Sequence, residues 1–177
     1  MVYVALLRGI NVGGRSAVSM AQLKRTLEGS GLGSVRTYIN SGNVIFTDPS
    51  RAKNGLRERI ERELERAFGW RIGVLVLGKA ELKRIAAAIP REWVNDETTK
   101  CDVMFLWPEV DNRGVLRQLP ADPEIEEVRY VKGAVLWHIE RRRQARSKMT
   151  RMVGTDLYKK MTIRNANTVR KLVERFE

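Results

Sequence analysis

The residues of this chain best suited to chemistry are arginines and small polar side chains gathered in three short strings. The first is Leu6-Leu7-Arg8-Gly9-Ile10-Asn11-Val12-Gly13-Gly14-Arg15-Ser16. Its glycines let the backbone take left-handed conformations and approach a ligand closely. Such a loop ahead of a helix can aim several N–H groups at an anion, so Arg8, Asn11, Gly13, Gly14 and Arg15 are candidate ligands of a phosphate or carboxylate. The second string, Ser41-Gly42-Asn43, would bring the Ser41 and Asn43 side chains to a shared pocket, or would simply close a hairpin. The third, Thr162-Ile163-Arg164-Asn165, is expected to open the last helix. There Arg164 and Asn165 would reach the same anion. The architectural alternative is that Arg164 pins the helix to the body while Asn165 caps it. Arginines at 8, 15 and 164 meeting on one anion would clamp it bidentately. That inventory favours positioning and electrostatic stabilisation over proton transfer by histidine.

Other chemistries fit poorly. Gly9-x4-Gly14-Arg15-Ser16 lies one residue from a Walker A loop, with Arg where Lys belongs. A P-loop helix starts at that lysine, whereas Val18-Ser19-Met20 predicts a later start, with Ser19 as cap. His138 is the only histidine and sits in an apolar strand pattern, so neither a histidine-ligated metal nor a Ser-His-Asp triad is expected. Cys101 opens a buried-looking strand and reads as inert. The carboxylates at 96, 102, 111 and 122 show no paired spacing. No metal and no cofactor is expected.

Charge points to a different kind of partner. The formal net charge is +12, and residues 141–177 hold 12 Lys/Arg against 3 Asp/Glu, a local excess of +9. A one-sign field attracts polyanions. Arg141, Arg142, Arg143, Arg146, Lys148 and Arg151 are therefore candidate nucleic-acid contacts, with Tyr130 and Trp137 as aromatic neighbours. No RRM aromatic signature, KH loop or zinc-finger spacing accompanies them.

The elements that must position these residues follow from periodicity. Val2–Leu7 reads as a strand. Met20, Leu23 and Leu27 have helical spacing, and Gly29 and Gly31 end that helix. Two strands, Val35–Ile39 and Val44–Thr47, flank a turn at 40–43. Leu56, Ile60, Leu64 and Phe68 predict a helix over 51–68 that Gly69 stops. Arg71–Leu77 is a further strand. The order β-α-β-β-α-β is that of a ferredoxin-like split βαβ unit. A trailing helix over 79–89 and a polar connector over 90–100 complete the expected first half, residues 1–89. The second half, 101–177, repeats the order less clearly. It has a strand over 102–107, a short helix over 111–118, and a hairpin of 128–131 with 134–139. A short helix over 155–161 and a final helix close it. The expected class is α+β, two ferredoxin-like halves with a C-terminal helix. No apolar run approaches the ~20 residues of a membrane span. Together with one cysteine and no signal peptide, this predicts a soluble cytoplasmic protein.

Leu6-Leu7-Arg8-Gly9-Ile10-Asn11-Val12-Gly13-Gly14, then Met20-x2-Leu23, then Thr37-Tyr38-Ile39-Asn40-Ser41-Gly42-Asn43-Val44 resemble the opening of the bacterial domain-of-unknown-function 1697 family. Thr162-Ile163-Arg164-Asn165-x2-Thr168-Val169-x2-Leu172 resembles its closing motif. Ala166 departs from that pattern, where the resemblance implies an aromatic residue. The resemblance implies an α+β fold with ferredoxin-like halves and no established reaction, substrate or cofactor. Three functions stay open at this point. The first is a module binding an anionic partner, nucleic acid first, through the glycine loop and the basic segment. The second is an enzyme acting on a small phosphorylated or carboxylated substrate. The third is a structural or interaction protein that uses an exposed sheet edge.

Overall fold

The computed structural model describes residues 1–14 and 16–176. The first strand, β1 (Val2–Leu7), is buried along almost its whole length. A strand covered on both faces explains its unbroken apolar run. Tyr3, Ala5 and Leu7 point to one face, where they meet Leu23 and Leu27 of helix α1 (Met20–Gly29) and Leu56, Ile60 and Leu64 of α2 (Lys53–Phe68). Each such Leu or Ile contributes roughly 1.5–3 kcal/mol by leaving water. The local signals set both helix ends. Ser19 Oγ accepts from Gln22 N at 3.3 Å at the start of α1. Gly69, at φ +79°, donates its N–H to Glu65 O at 2.9 Å and ends α2 in the left-handed cap that glycine favours.

Strands β2 (Gly33–Tyr38), β3 (Asn43–Thr47) and β4 (Val74–Gly78) complete a fully antiparallel sheet in the order β2-β3-β1-β4. After α3 (Lys79–Ala87), β5 (Thr99–Leu106), β6 (Glu126–Val131), β7 (Ala134–Glu140) and β8 (Met161–Asn165) form a second sheet in the order β6-β7-β5-β8. Counted within each half, the two orders are identical, so the expected pair of ferredoxin-like halves is found. The second half differs in its connections. Where the first half has α1, the second has only short 3-10 helices, Pro108–Val110 and Arg113–Gln118. The basic run forms two more, Arg141–Arg146 and Met149–Met152, before α4 (Asp156–Lys159).

Two expectations need correction. Thr162-Ile163-Arg164 does not open the last helix but forms β8, paired with β5 from Leu106↔Met161 to Asp102↔Asn165. Helix α5 (Ala166–Glu174) starts only after Asn165, whose Oδ1 accepts from Thr168 N at 2.8 Å. The chain divides into two units, Met1–Ala80 with Phe176 and Glu81–Arg175. Most of α3, which its sequence attaches to the first half, thus belongs to the second unit, where Arg84 donates to Lys132 O at 2.8 Å. The segment 90–98 is also tied within that unit. Arg170 donates to the carbonyls of Trp93 and Pro90, and Asn167 Nδ2 to Asn95 O at 2.7 Å.

One glycine in the first unit is required by both conformation and space. Gly42 lies at φ +77°, and a Cβ there would stand 2.7 Å from both Leu7 Cβ and Ile10 Cδ1. Gly14, at φ +72°, has open space around the corresponding position. Gly42→Ala should therefore lower the unfolding free energy by roughly 2–4 kcal/mol, left-handed strain plus overpacking. Gly14→Ala should cost only about 1 kcal/mol. Equal costs in urea denaturation would contradict this account of the turn.

Candidate functional site

The glycine loop is held by one side chain. Asn11, itself at φ +54°, accepts from Val18 N through Oδ1 at 2.8 Å, and its Nδ2 donates to Val18 O at 3.1 Å and Asn40 O at 2.7 Å. Its own N–H donates to Ser16 O at 3.1 Å. The amide thus replaces the ladder partners that a loop lacks. Gly9, Gly13 and Gly14 take φ of +70°, +60° and +72°, and Gly13 and Gly14 stand exposed at the loop tip. Together the loop and the start of α1 border a shallow cleft of ≈ 450 Å³ lined by Asn11, Gly14, residues 17–20 and Asn40.

Of the residues expected at an anion site, Asn11 and Gly14 line this cleft. Asn43 is fully buried, with its Nδ2 donating to Tyr38 O and Ser41 Oγ, both at 2.9 Å. Ile39, between these anchors, is forced to φ +48°, a strained position for a β-branched residue. The carbonyl before it is held by Asn43 and the carbonyl after it by Asn11. The turn and the loop are therefore one hydrogen-bonded unit. Arg8 is partly exposed, and its N–H donates to Gly73 O at 2.9 Å. Arg15 lies outside the described residues.

Arg164 and Asn165 belong to the second unit. Arg164 is 6% exposed, and its Nη1 donates to Thr162 Oγ1 at 3.0 Å and Ile163 O at 2.8 Å. Burial pushes its guanidinium down to about 10. Asn165 is spent as the α5 cap. His138 stacks on Trp93 with centroids 4.9 Å apart, and its Nδ1 stands 3.8 Å from Glu127 Oε1. Burial pushes the Cys101 thiol up to about 12, with Asp102 adding to the effect, so this buried thiol is a poor nucleophile.

The basic run is pinned to the sheet. Met149 and Met152, three residues apart, share the inward side of a 3-10 turn and enter a core with Met104, Leu106, Val135 and Trp137. Lys148 and Arg151, also three apart, fall on the outward side. The arginines of 141–143 have local partners. Arg141 donates to Asp96 O and, at 3.4 Å, to Asn95 Oδ1. Arg142 and Arg143 pair with Glu140, and Arg143 Nη1 donates to Glu124 O at 3.3 Å. The hydrogen bond from Arg142 holds the Glu140 carboxyl below its ordinary value. Asp96, which anchors this corner, is held at about 2 by the N–H groups of Thr99 and Thr98. Arg146, Lys148 and Arg151 are exposed, and their side chains have no hydrogen-bond or ion-pair partner among the described residues.

The expected aromatic neighbours are not surface groups. Trp137 is 6% exposed and its Nε1 donates to Glu126 Oε2 at 2.7 Å. Tyr130 spends its hydroxyl on Asp111 Oδ1 at 2.9 Å. Strand alternation turns both toward the core that the 3-10 turns cover.

Glu126 escaped notice in the sequence. It is 4% exposed, and its carboxylate accepts from Trp137 Nε1, from Ser147 Oγ at 2.7 Å and from Asp122 N at 2.9 Å. Ser147 Oγ in turn accepts from Met149 N at 3.1 Å. Alternation was the available signal, since Glu126, Val128 and Tyr130 share one face of β6 while Glu127 and Arg129 take the other. Glu126→Ala would orphan the buried donors and cost about 2–3 kcal/mol. Amides 147–152 should then exchange with solvent at least roughly tenfold faster, while those of β1 and β3 keep their protection. Unchanged exchange at 147–152 would show that the segment is ordered by something else.

Comparison with known proteins supports the architecture. The structure of conserved bacterial protein SP0830 from Streptococcus pneumoniae is similar over nearly the whole molecule. It has a TM-score of 0.84 and 27% sequence identity, with 99% of this chain and 98% of that chain covered. No curated protein matches the chain. A family model described as a protein of unknown function (DUF1697) matches residues 1–137, a span that includes the glycine loop and ends at Trp137 within β7. The chain belongs to this uncharacterised DUF1697 family.

Proposed function

We propose that this protein binds a polyanion, nucleic acid first, through the basic segment of its second unit, with the glycine loop as an additional contact. The observation that carries this function is the presentation of Arg146, Lys148 and Arg151. Their side chains are exposed and without partners among the described residues, and those of Lys148 and Arg151 flank Met149 and Met152, which enter a hydrophobic core. Cations with local carboxylate partners, such as Arg142 and Arg143, are partly neutralised before any ligand arrives. Unpartnered cations keep their counterions, and release of those counterions by a polyanion drives association. Holding them on ordered turns lowers the entropy lost on binding. Nucleic acid in the cytoplasm is the polyanion such a surface would meet, and a single buried cysteine suits that reducing compartment. Among the described residues no helix is long and apolar enough to cross a membrane.

A second function, an enzyme acting on a small phosphorylated or carboxylated substrate, is favoured by the ≈ 450 Å³ cleft beside Asn11 and Gly14. The described residues that line it, Asn11, Gly14, residues 17–20 and Asn40, include no histidine, cysteine or carboxylate. The two functions part in a gel-shift titration with mixed RNA and DNA. The wild-type protein should shift nucleic acid at low salt and release it at moderate salt. The triple variant Arg146→Ala, Lys148→Ala, Arg151→Ala should lose roughly tenfold or more in affinity at low salt. Absence of binding at low salt, or a triple variant that binds like the wild type, would remove the basic segment from the function and leave the cleft as the better candidate.

A further inference from the structure

We infer, on the polyanion-binding function proposed above, that the partner is a nucleic-acid double helix held by its phosphates, with neither base stacking nor sequence readout. Single strands are held without sequence preference by a cationic groove combined with aromatic side chains on which bases stack. The chain has four Phe, four Trp and four Tyr, and none of the twelve is exposed. In the unit that carries the basic segment, Trp93, Trp107 and Trp137 are buried, and the Trp137 indole N–H and the Tyr130 hydroxyl are committed to Glu126 and Asp111. In this unit a splayed base would find only the partly buried rings of Tyr130 and Tyr158.

Base-edge readout in a duplex needs an element that enters a groove about 12 Å wide and about 8.5 Å deep. The segments that carry the cations are 3-10 helices of six and four residues, roughly 12 Å and 8 Å long at ~2 Å per residue. Met149 and Met152 hold the second against the sheet, so it presents a side and not a tip. Helix α2 is long enough to read a groove, but its Arg57, Arg59, Arg62 and Arg66 alternate with Glu58, Glu61, Glu63 and Glu65. What faces solvent on the basic segment is a set of side-chain charges. Lys148 and Arg151, one 3-10 turn apart, stand ~6 Å from each other along the turn. A flat cationic face responds to charge density, and a duplex carries one charge per ~1.7 Å of axis, twice that of a single strand.

Fluorescence anisotropy on the full chain tests this with labelled probes. They are a mixed-sequence DNA duplex, a second duplex of unrelated sequence, an RNA duplex and the single strand of the first. The duplexes should bind within about twofold of one another and at least roughly fivefold tighter than the single strand. For three cations, the salt dependence on DNA duplex should have a log–log slope of roughly −2.7, falling in magnitude by about 0.9 in Arg151→Ala. A single strand that binds tighter than its duplex, or two DNA duplexes that differ more than about tenfold, would overturn the duplex-backbone inference and leave polyanion binding standing. Failure of all probes to bind at low salt would overturn both.

Discussion

A carboxylate withdrawn from water must be surrounded by donors, and Glu126 is the place where that requirement shapes the second unit. Leaving the group without partners would cost several kcal/mol. Its three donors come from separate stretches of chain, the backbone at Asp122, the Trp137 indole on β7 and the Ser147 hydroxyl at the end of the arginine run. Satisfying one side chain therefore fastens the edge strand β6, its neighbour β7 and the basic segment together. A run with six cations in eleven residues would otherwise repel itself away from the body. Once Ser147 is fixed, Met149 and Met152 find the core, and the 3-10 repeat of three turns Lys148 and Arg151 outward.

The first unit solves a comparable problem with an amide instead of a carboxylate. The glycine loop has backbone groups with no ladder to join. Asn11 supplies both an acceptor and donors, and reaches across to the β2–β3 turn through Asn40. Gly42 allows that turn to press on Leu7 and Ile10, where no other residue would fit. The strain at Ile39 is held in place by these same amides. This makes the loop an ordered wall of a cleft whose internal geometry is unlike a Walker A cradle. Its helix begins at Met20, capped by Ser19, well after the glycines.

Much of this architecture was legible in the residues themselves, and the gaps have physical causes. The four-residue steps of α2, the cap at Ser19, the stop at Gly69 and the Ser41-Gly42-Asn43 turn are local signals, and local chemistry decides them. The order β-α-β-β-α-β followed. Strand β8 was missed because Asn165 is at once its last residue and the cap of α5, so no turn residue separates strand from helix. The 3-10 segments were missed because an arginine-rich run has no apolar period, apart from the pair Met149 and Met152. Trp137 and Tyr130 were placed beside the cations by their sequence neighbourhood, whereas strand alternation decides on which side they end. Which of 21 acidic residues would be buried is a tertiary fact, and only the alternation of β6 hinted at Glu126. At the candidate site the architectural reading of Asn43 and Asn165 accounts for their observed bonds, while Asn11 both builds the loop and lines the cleft.

The central claim is that the cationic face is an ordered surface whose order depends on Glu126. Duplex affinity of Glu126→Ala at low salt tests it most directly, because two views predict opposite signs. Removal of one negative charge beside the basic segment should tighten polyanion binding if charge alone matters. An alanine leaves Trp137 Nε1, Ser147 Oγ and Asp122 N without their acceptor, so a segment that loosens and an affinity that falls by roughly threefold or more are expected. Affinity that rises or stays the same, in a variant with wild-type secondary structure, would contradict it.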